Sequence, residues 1–207
     1  MMMRDREEGL PQTPVAVLGT LAEFHLEPIP YDLAALVRLV SDLRPDFLCL
    51  DMMPEQWRQG DFEDLPPEYR EALLPLAHQT DIVVVPIAGD RPPREPSAPG
   101  WRGWTIATLR RYLATLQRNA PGPAAMNEGL RHFVADLLYG LMSLLAGGGT
   151  SHEWRQHTVH LVREVLDVAR RDPGRRVLVA VNVRYCHHIR HALSRYPELR
   201  LVRYSQL

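Results

Sequence analysis

The sequence predicts a single α/β domain over residues 13–207, with a mostly parallel central sheet flanked by helices. Short apolar and β-branched runs alternate with longer segments of helical periodicity, a pattern typical of strand–helix–strand units. The chain has 207 residues, of which 45% are hydrophobic and 24% charged, so it is long enough to bury one core. Residues 1–12 are charged and lack the apolar run of a signal peptide, and we expect them to form a flexible segment outside the domain.

The predicted strands are apolar runs bounded by turn residues, and amphipathic segments separate them. The strands are 15–18, 47–50, 82–85, 177–181 and 199–204, and the helices are 32–43, 68–78, 105–118, 127–145, 151–171 and 187–194. The proline-rich stretch 86–99 cannot pair inside a sheet, which predicts a long surface loop. The three glycines at 147–149 separate the two longest helices.

Composition excludes several classes of function. The net charge is −1 and both signs are spread along the chain, so no basic surface for nucleic acid is expected. The sequence contains no lysine, which excludes Schiff-base catalysis by a lysine side chain. It also contains no G-x-G-x-x-G, G-x-x-x-x-G-K-[ST] or G-x-S-x-G motif, which disfavours nucleotide binding and an α/β-hydrolase nucleophile.

The apolar segments favour a cytoplasmic protein without a membrane partner. The most apolar stretch, 133–146, is too short to cross a bilayer and contains Asp136. The two cysteines, Cys49 and Cys186, lie in or beside strand-like runs, so buried free thiols are expected rather than a disulfide. Free thiols suit a reducing compartment.

Candidate site residues, most of them polar, follow the first four predicted strands, at the edge where open parallel sheets bind ligands. They are Gly19, Thr20, Glu23 and His25 after the first strand, Asp51 after the second, Asp90 and Arg91 after the third, and Asn182, Arg184, Tyr185, His187 and His188 after the fourth. Solvated loops are also polar, so only convergence of these residues would define a site. Asp51 is the strongest single candidate, because it directly follows an apolar strand and should lie at the rim of the core, either paired as an ion or with a raised pKa.

The helix after the glycine run adds a second candidate. At 100° per residue Arg155 falls inside the apolar arc, close to Val162, so we expect it to face the core and to pair with a buried acid or an anionic ligand. The opposite face carries Glu153, His157, His160 and Glu164. Such a set could bind a metal, but a solvated face with incidental histidines is the simpler explanation.

The order of short motifs resembles the TraB/PrgY-like group, which is related to the TIKI proteases and ChaN-like proteins. The motifs are Gly19-Thr20, Arg44-Pro45-Asp46 before a strand that ends at Asp51-Met52, Asp90-Arg91, Thr108-Leu109-Arg110, a helix with Arg155, Pro173-Gly174, and Asn182 to Tyr185. The resemblance implies a TraB/ChaN-like fold with a metal-dependent hydrolytic or peptide-binding site. In this chain Ala22 and Tyr185 stand where the family has histidines, Asn182 where it has glycine and Asp51 where it has glutamate.

Three functional hypotheses follow from the sequence. The first is a TraB-like domain with degenerate catalytic motifs, which binds a small or peptidic ligand at the strand ends. Its charged lining would be Asp51, Asp90, Arg91 and Arg155, with Gly19, Thr20, Glu23, Asn182 and Tyr185 as further ligand contacts. The second is an active hydrolase in which His25, Asp51 and His187 hold a divalent metal that activates water. The third is a homo-oligomer paired through the apolar helix 127–145.

Overall fold

A computed structural model of the chain describes residues 12–89, 93 and 95–207, and these residues form an α/β fold around a five-stranded parallel sheet. The strands are β1 (Thr13–Thr20), β2 (Phe47–Leu50), β3 (Val83–Pro86), β4 (Val177–Asn182) and β5 (Leu199–Leu201). Their order across the sheet is β3-β2-β4-β1-β5, and every paired neighbour is parallel. The predicted fold class is confirmed, and the sheet is entirely parallel rather than mostly so.

Eight α-helices accompany the sheet within the described residues. They are α1 (Leu33–Leu43), α2 (Pro54–Gln59), α3 (Leu74–His78), α4 (Gly100–Arg118), α5 (Pro123–Asn127), α6 (Leu130–Ala146), α7 (Gly148–Arg171) and α8 (Val183–Leu193). Three-ten helices cover Ala22–Leu26 and Tyr204–Gln206, and Glu68–Leu73 is a π-helix. No helix in the described ranges is both long enough and apolar enough to cross a membrane.

Several predicted boundaries moved for local reasons. The helix expected from residue 187 begins at Val183, because the Asn182 side chain accepts a hydrogen bond from the Arg184 N–H and caps it. The strand expected to reach residue 204 ends at Leu201, and Tyr204 is buried in a three-ten turn instead. The short helices α2 and α5 were not predicted, although each has proline in its first turn.

Alternate residues of each strand enter two separate core layers. Leu18, Leu50 and Ala180 pack in the layer that contains α1, α3, α4 and α6. Val17 and Val179 pack on the other side with α7 and α8. Because successive side chains of a strand point to opposite faces, this period of two is what a sheet covered on both sides requires.

The two neighbouring strands β1 and β4 send their following helices to opposite faces. The helix α1, which follows β1, packs in one layer through Leu36 and Val40, whereas α8, which follows β4, packs in the other through Ile189 and Leu193. A crevice therefore opens beyond Thr20 and Asn182, at the carboxyl ends of the strands.

Gly19 allows β1 to pack closely against α5 and α8 at that edge. Its N–H donates to Asn127 Oδ1 at 2.5 Å, and its carbonyl accepts from the Tyr31 hydroxyl at 3.0 Å. A Cβ at this position would lie 2.9 Å from Cys186 Sγ and 3.1 Å from the Cα of Val183. Gly19 is thus a packing residue of the strand end, and the two cysteines are buried and free as predicted.

We predict that Gly19→Ala destabilises the protein by about 1–3 kcal/mol, because the added methyl group has backbone against it and cannot be absorbed by a side-chain rotation. Chemical denaturation followed by circular dichroism measures this. Gly149→Ala is the matched control, because a Cβ there meets nothing within 4 Å inside α7 and should be neutral or stabilising by up to about 1 kcal/mol. Equal stabilities for the two variants would contradict the packing role of Gly19.

Candidate ligand-binding site

A cavity of about 580 Å³ opens at the carboxyl ends of the strands. Its walls come from the segments that follow β1, β2, β3 and β4, together with the π-helix, α4, α6 and the first turns of α7. The volume falls within the range of sites for small ligands. The polar and charged side chains in its walls are Glu23, Asp51, Gln56, Asp64, Glu68, Tyr69, Glu95, Arg110, Gln117, Tyr139, Asn182, Arg184 and Tyr185.

Asp51 lies in the cavity wall and is held by a histidine behind it. Its Oδ2 is 3.0 Å from Nε2 of His157, and the two side chains are 12% and 6% exposed, respectively. The ring of His157 packs 5.1 Å from the ring of Tyr185, which also lines the cavity. An N–H of the histidine donated to Oδ2 leaves the second carboxylate oxygen of Asp51 as an acceptor for a ligand.

The apolar arc of α7 faces the core as predicted, but two positions near its N-terminus were assigned to the wrong sides. Arg155 is exposed, so the expectation that it faces the core was wrong, and it does not line the cavity. His157, which was placed on the solvated face, is buried. The buried stripe is narrower in the N-terminal turns of α7. Among residues 148–158, only Trp154, His157 and Thr158 are buried. The apolar arc predicted from the whole helix is wider than the buried stripe in these turns, and so it wrongly included Arg155.

Arg184 forms a basic corner of the cavity. Its guanidinium lies 4.8 Å from the centre of the Tyr185 ring and 5.6 Å from that of Trp154, so aromatic faces shield it and it is 17% exposed. The backbone N–H of Arg184 donates to the capping side chain of Asn182 at 3.2 Å. The N-terminal turn of α8 therefore fixes three cavity residues, Asn182, Arg184 and Tyr185, relative to the end of β4.

A loop carboxylate bridges this corner to a second arginine. Glu95 Oε1 lies 3.3 Å from Nη1 of Arg184, and its Oε2 lies 3.0 Å from Nη2 of Arg110 on α4. The Glu95 side chain is 64% exposed, so this interaction is weak and readily exchanged with solvent or with another anion. Arg110 and Arg184 thus form a pair that accepts a carboxylate.

Other segments of the wall are acidic. Glu68, on the π-helix, is 1% exposed, and burial raises the pKa of its carboxyl group. The nearby Thr20 hydroxyl and the backbone at Ala22 oppose that rise, and the charge of Glu23 adds to it. Glu23 and Asp64 line the same cavity from exposed positions. Glu68 therefore lines the cavity although burial makes its charged form less stable.

Some polar atoms in and beside the wall are buried without a hydrogen bond of good geometry. Three atoms of wall residues are buried and have no hydrogen-bond partner of good geometry within the described residues: Glu68 Oε2, Arg184 Nε and the Tyr185 hydroxyl. Thr20 Oγ1, beside Glu68, is also buried without such a partner. Burial also raises the pKa of Tyr185, so its hydroxyl stays protonated and can donate. Glu68 interacts with the Thr20 side chain and Tyr185 with the side chain of Arg184, so these atoms pair with one another within the wall and are not open to the cavity.

The residues predicted from the strand ends divide into three groups. Glu23, Asp51, Asn182 and Tyr185 all line the cavity. Gly19 and Thr20 are buried behind the wall and are not part of it. Asp90 and Arg91 lie outside the described residues.

The histidines proposed as metal ligands do not form a metal site. Nδ1 of His25 lies 2.7 Å from the Tyr31 carbonyl, and its Nε2 accepts the Leu21 N–H at 2.9 Å, so both ring nitrogens are used by the backbone. His187 lies on α8 with its side chain 54% exposed, 3.7 Å from Asp136. In the described part of the chain no three His, Cys, Asp or Glu side chains are grouped to hold a metal. The donor set His25, Asp51 and His187 therefore does not fit a divalent cation.

Sequence reasoning missed several contributors to the site, among them Glu68, Glu95, Arg110 and His157. Glu68 lies in an ordinary helical pattern, and Glu95 lies in the proline-rich loop, so neither carried a signal of its own. His157 could have been found only by knowing which face of α7 meets β2.

Comparison of the chain with protein-family models, with curated proteins and with solved structures finds no match. The resemblance to the TraB/PrgY-like group therefore stays a prediction from motif order.

We predict that His25 makes the protein lose stability as the pH falls. Burial lowers the pKa of His25 to about 4, so the folded state keeps the ring neutral while the unfolded chain takes up a proton below about 6.5. The contribution is fully present above pH 6.5 and is lost progressively towards pH 4, with a total of about 3 kcal/mol. Urea denaturation at several pH values measures it, and His25→Gln should flatten the profile in this window. Parallel profiles for wild type and variant would contradict the assignment.

We predict the opposite pH dependence for Glu68. Because its folded pKa is raised, stability is lost as the pH rises from the ordinary value near 4.5 through the folded pKa. Glu68→Gln should therefore be more stable than wild type at pH 7 to 8, and the difference should shrink below pH 4.5. Denaturation midpoints of both proteins across this range provide the measurement. A variant less stable than wild type at pH 8 would show that the charged carboxylate is stabilised instead.

Proposed function

We propose that this protein binds a small zwitterionic or peptidic ligand, such as a free amino acid or a short peptide, in the cavity at the carboxyl ends of its strands. The observation that carries the proposal is that one cavity of ligand size is lined both by an arginine pair, Arg110 and Arg184, which already holds a carboxylate, and by the acids Glu23, Asp64 and Glu68.

The charges in the wall argue for a ligand with two opposite ends. Arg110 and Arg184 already share the carboxylate of Glu95, which shows the kind of group that fits between them. The acids Glu23, Asp64 and Glu68 come from the segments after β1 and before α3, on other elements of the wall. A ligand carboxylate at the arginines and a ligand ammonium at the acids would match this polarity.

Binding is better supported than hydrolysis. Ala22 and Tyr185, which stand where the TraB/PrgY-like group has histidines, both line the cavity. These two positions offer no imidazole to a metal, which supports ligand binding without metal-dependent hydrolysis. We therefore propose a degenerate member of that group, and the metal-dependent alternative has no supporting observation among the described residues.

A panel of dipeptides with free or blocked termini tests the proposal. Thermal shift identifies binders and isothermal titration calorimetry measures Kd. Free dipeptides should bind, and N-acetylation or C-amidation should each weaken binding at least tenfold, because each removes one charged contact. Equal affinity for free and doubly blocked peptides would contradict a zwitterion site. Absence of binding by the whole panel and by free amino acids would contradict the proposed ligand class.

Three variants locate the ligand carboxylate. Arg184→Gln should weaken binding of a dipeptide at least tenfold. Glu95→Gln should tighten it severalfold, because the competing internal carboxylate is removed. Arg111→Gln is the matched control, since Arg111 is an exposed arginine next to Arg110 that is not part of the wall, and Kd should stay within about twofold. A similar loss in the Arg111 and Arg184 variants would indicate nonspecific charge attraction.

A further inference from the structure

The outer face of α6 is entirely apolar. Every exposed position of this helix carries leucine, phenylalanine or glycine: Leu130, Phe133, Leu137, Gly140, Leu141 and Leu144. Their side chains are strongly exposed, from 41% at Leu141 to 79% at Leu130. The solvent-facing side of a surface helix is ordinarily polar, so this pattern is inverted. We call these six residues the α6 stripe.

The spacing of the α6 stripe is that of a helix-pairing seam. Leu130, Leu137 and Leu144 are seven residues apart, and Phe133 and Gly140 occupy the intervening position of the same heptad. A Cβ at Gly140 would meet nothing within 4 Å, so the helix backbone is open to close approach there. A stripe made only of apolar side chains at this spacing is complementary to a second copy of itself.

We propose that the α6 stripe is the interface of a two-fold symmetric homodimer, with α6 packed against α6 of a second copy of this chain. In a two-fold interface the same patch serves both partners, and the stripe meets this requirement because it needs no opposite charge or pocket on the other side.

The size of the α6 stripe suits a dimer. With the exposed fractions above, four leucines and one phenylalanine present on the order of 400 Å² of apolar surface. A standard interface buries about 800 Å² on each partner, a little more than half of it apolar. The stripe therefore supplies about the apolar core of one such interface.

A membrane surface is a less suitable occupant. Helices that lie on membranes carry lysine or arginine beside the apolar face. The arginine of α6, Arg131, donates instead to the backbone carbonyls of Leu116 and Asn119 at the end of α4. The chain as a whole has a net charge of −1, which gives no attraction to anionic lipids.

The other side of α6 fixes the stripe in place. Met142 is 2% exposed and lines the ligand cavity together with Tyr139, whose hydroxyl accepts a hydrogen bond from Gln117 on α4. The stripe is thus presented on a helix that the core already orders, and pairing requires no refolding of α6.

Sedimentation velocity of the full chain tests the proposal. The protein is measured between about 1 and 100 µM, which is on the order of ordinary dimer dissociation constants. The wild type should sediment as a dimer at the higher concentrations. Leu137→Glu and Leu144→Glu should each weaken dimerisation at least a hundredfold, because they bury a charge in the seam. Val83→Glu is the matched control, since it places the same charge on an exposed apolar residue of the edge strand β3, and it should leave the dimer intact.

Cross-linking provides a second measurement that does not depend on a charged variant folding. Leu137 lies at the centre of the α6 stripe, so Leu137→Cys should meet its own copy and form an intermolecular disulfide under mild oxidation, whether the helices run parallel or antiparallel. The native cysteines are buried and should give no such product.

Three outcomes would overturn the dimer. One is a wild type that is monomeric at every concentration, and another is a dimer that persists unchanged in both glutamate variants. The third is a monomer that binds phosphatidylcholine and phosphatidylglycerol vesicles and loses this binding in Leu137→Glu, which would assign the stripe to a lipid surface. Far-UV circular dichroism confirms that each variant is folded.

Discussion

The pairing of β1 with β4 is the contact on which the rest of the site depends. These strands lie side by side, yet the helices that follow them leave towards opposite faces of the sheet. The chain must therefore separate at their carboxyl ends, and the cavity is the space that this separation leaves. At the same edge α5 and α8 pack directly against β1, because Gly19 has no side chain. The N–H of Gly19 donates a hydrogen bond to Asn127 of α5.

The cavity wall contains polar groups whose burial costs folding stability. A buried carboxyl at Glu68, a guanidinium shielded by aromatic rings at Arg184 and a buried hydroxyl at Tyr185 would each be more stable in water or with full hydrogen bonding. Burial of the apolar strand residues offsets this loss of folding stability, since the central residues of β1, β2 and β4 are fully buried. Asp51 is placed differently, because His157 satisfies one of its oxygens and leaves the other available.

The helix α6 connects the two surfaces for which we propose partners. Its inner side contributes Tyr139 and Met142 to the cavity, and its outer side is the α6 stripe. One helix thus separates a polar cavity from an apolar exterior. A dimer across the stripe would shield the outer side of the same helix that closes the cavity, so the two proposals are structurally adjacent although each is tested independently.

The sequence by itself determined the strands, the parallel sheet and the edge at which a site could form, because period-two and helical patterns are local properties of the chain. It also placed Asp51, Asn182 and Tyr185 in the cavity, since residues directly after a strand have little freedom in where they go. Only the tertiary structure decided that His157 faces Asp51 while Arg155 faces solvent, and that Glu68 and Arg110 join the wall. Helical periodicity fixes the angles between side chains of one helix, but the neighbours that cover each turn come from distant segments of the chain.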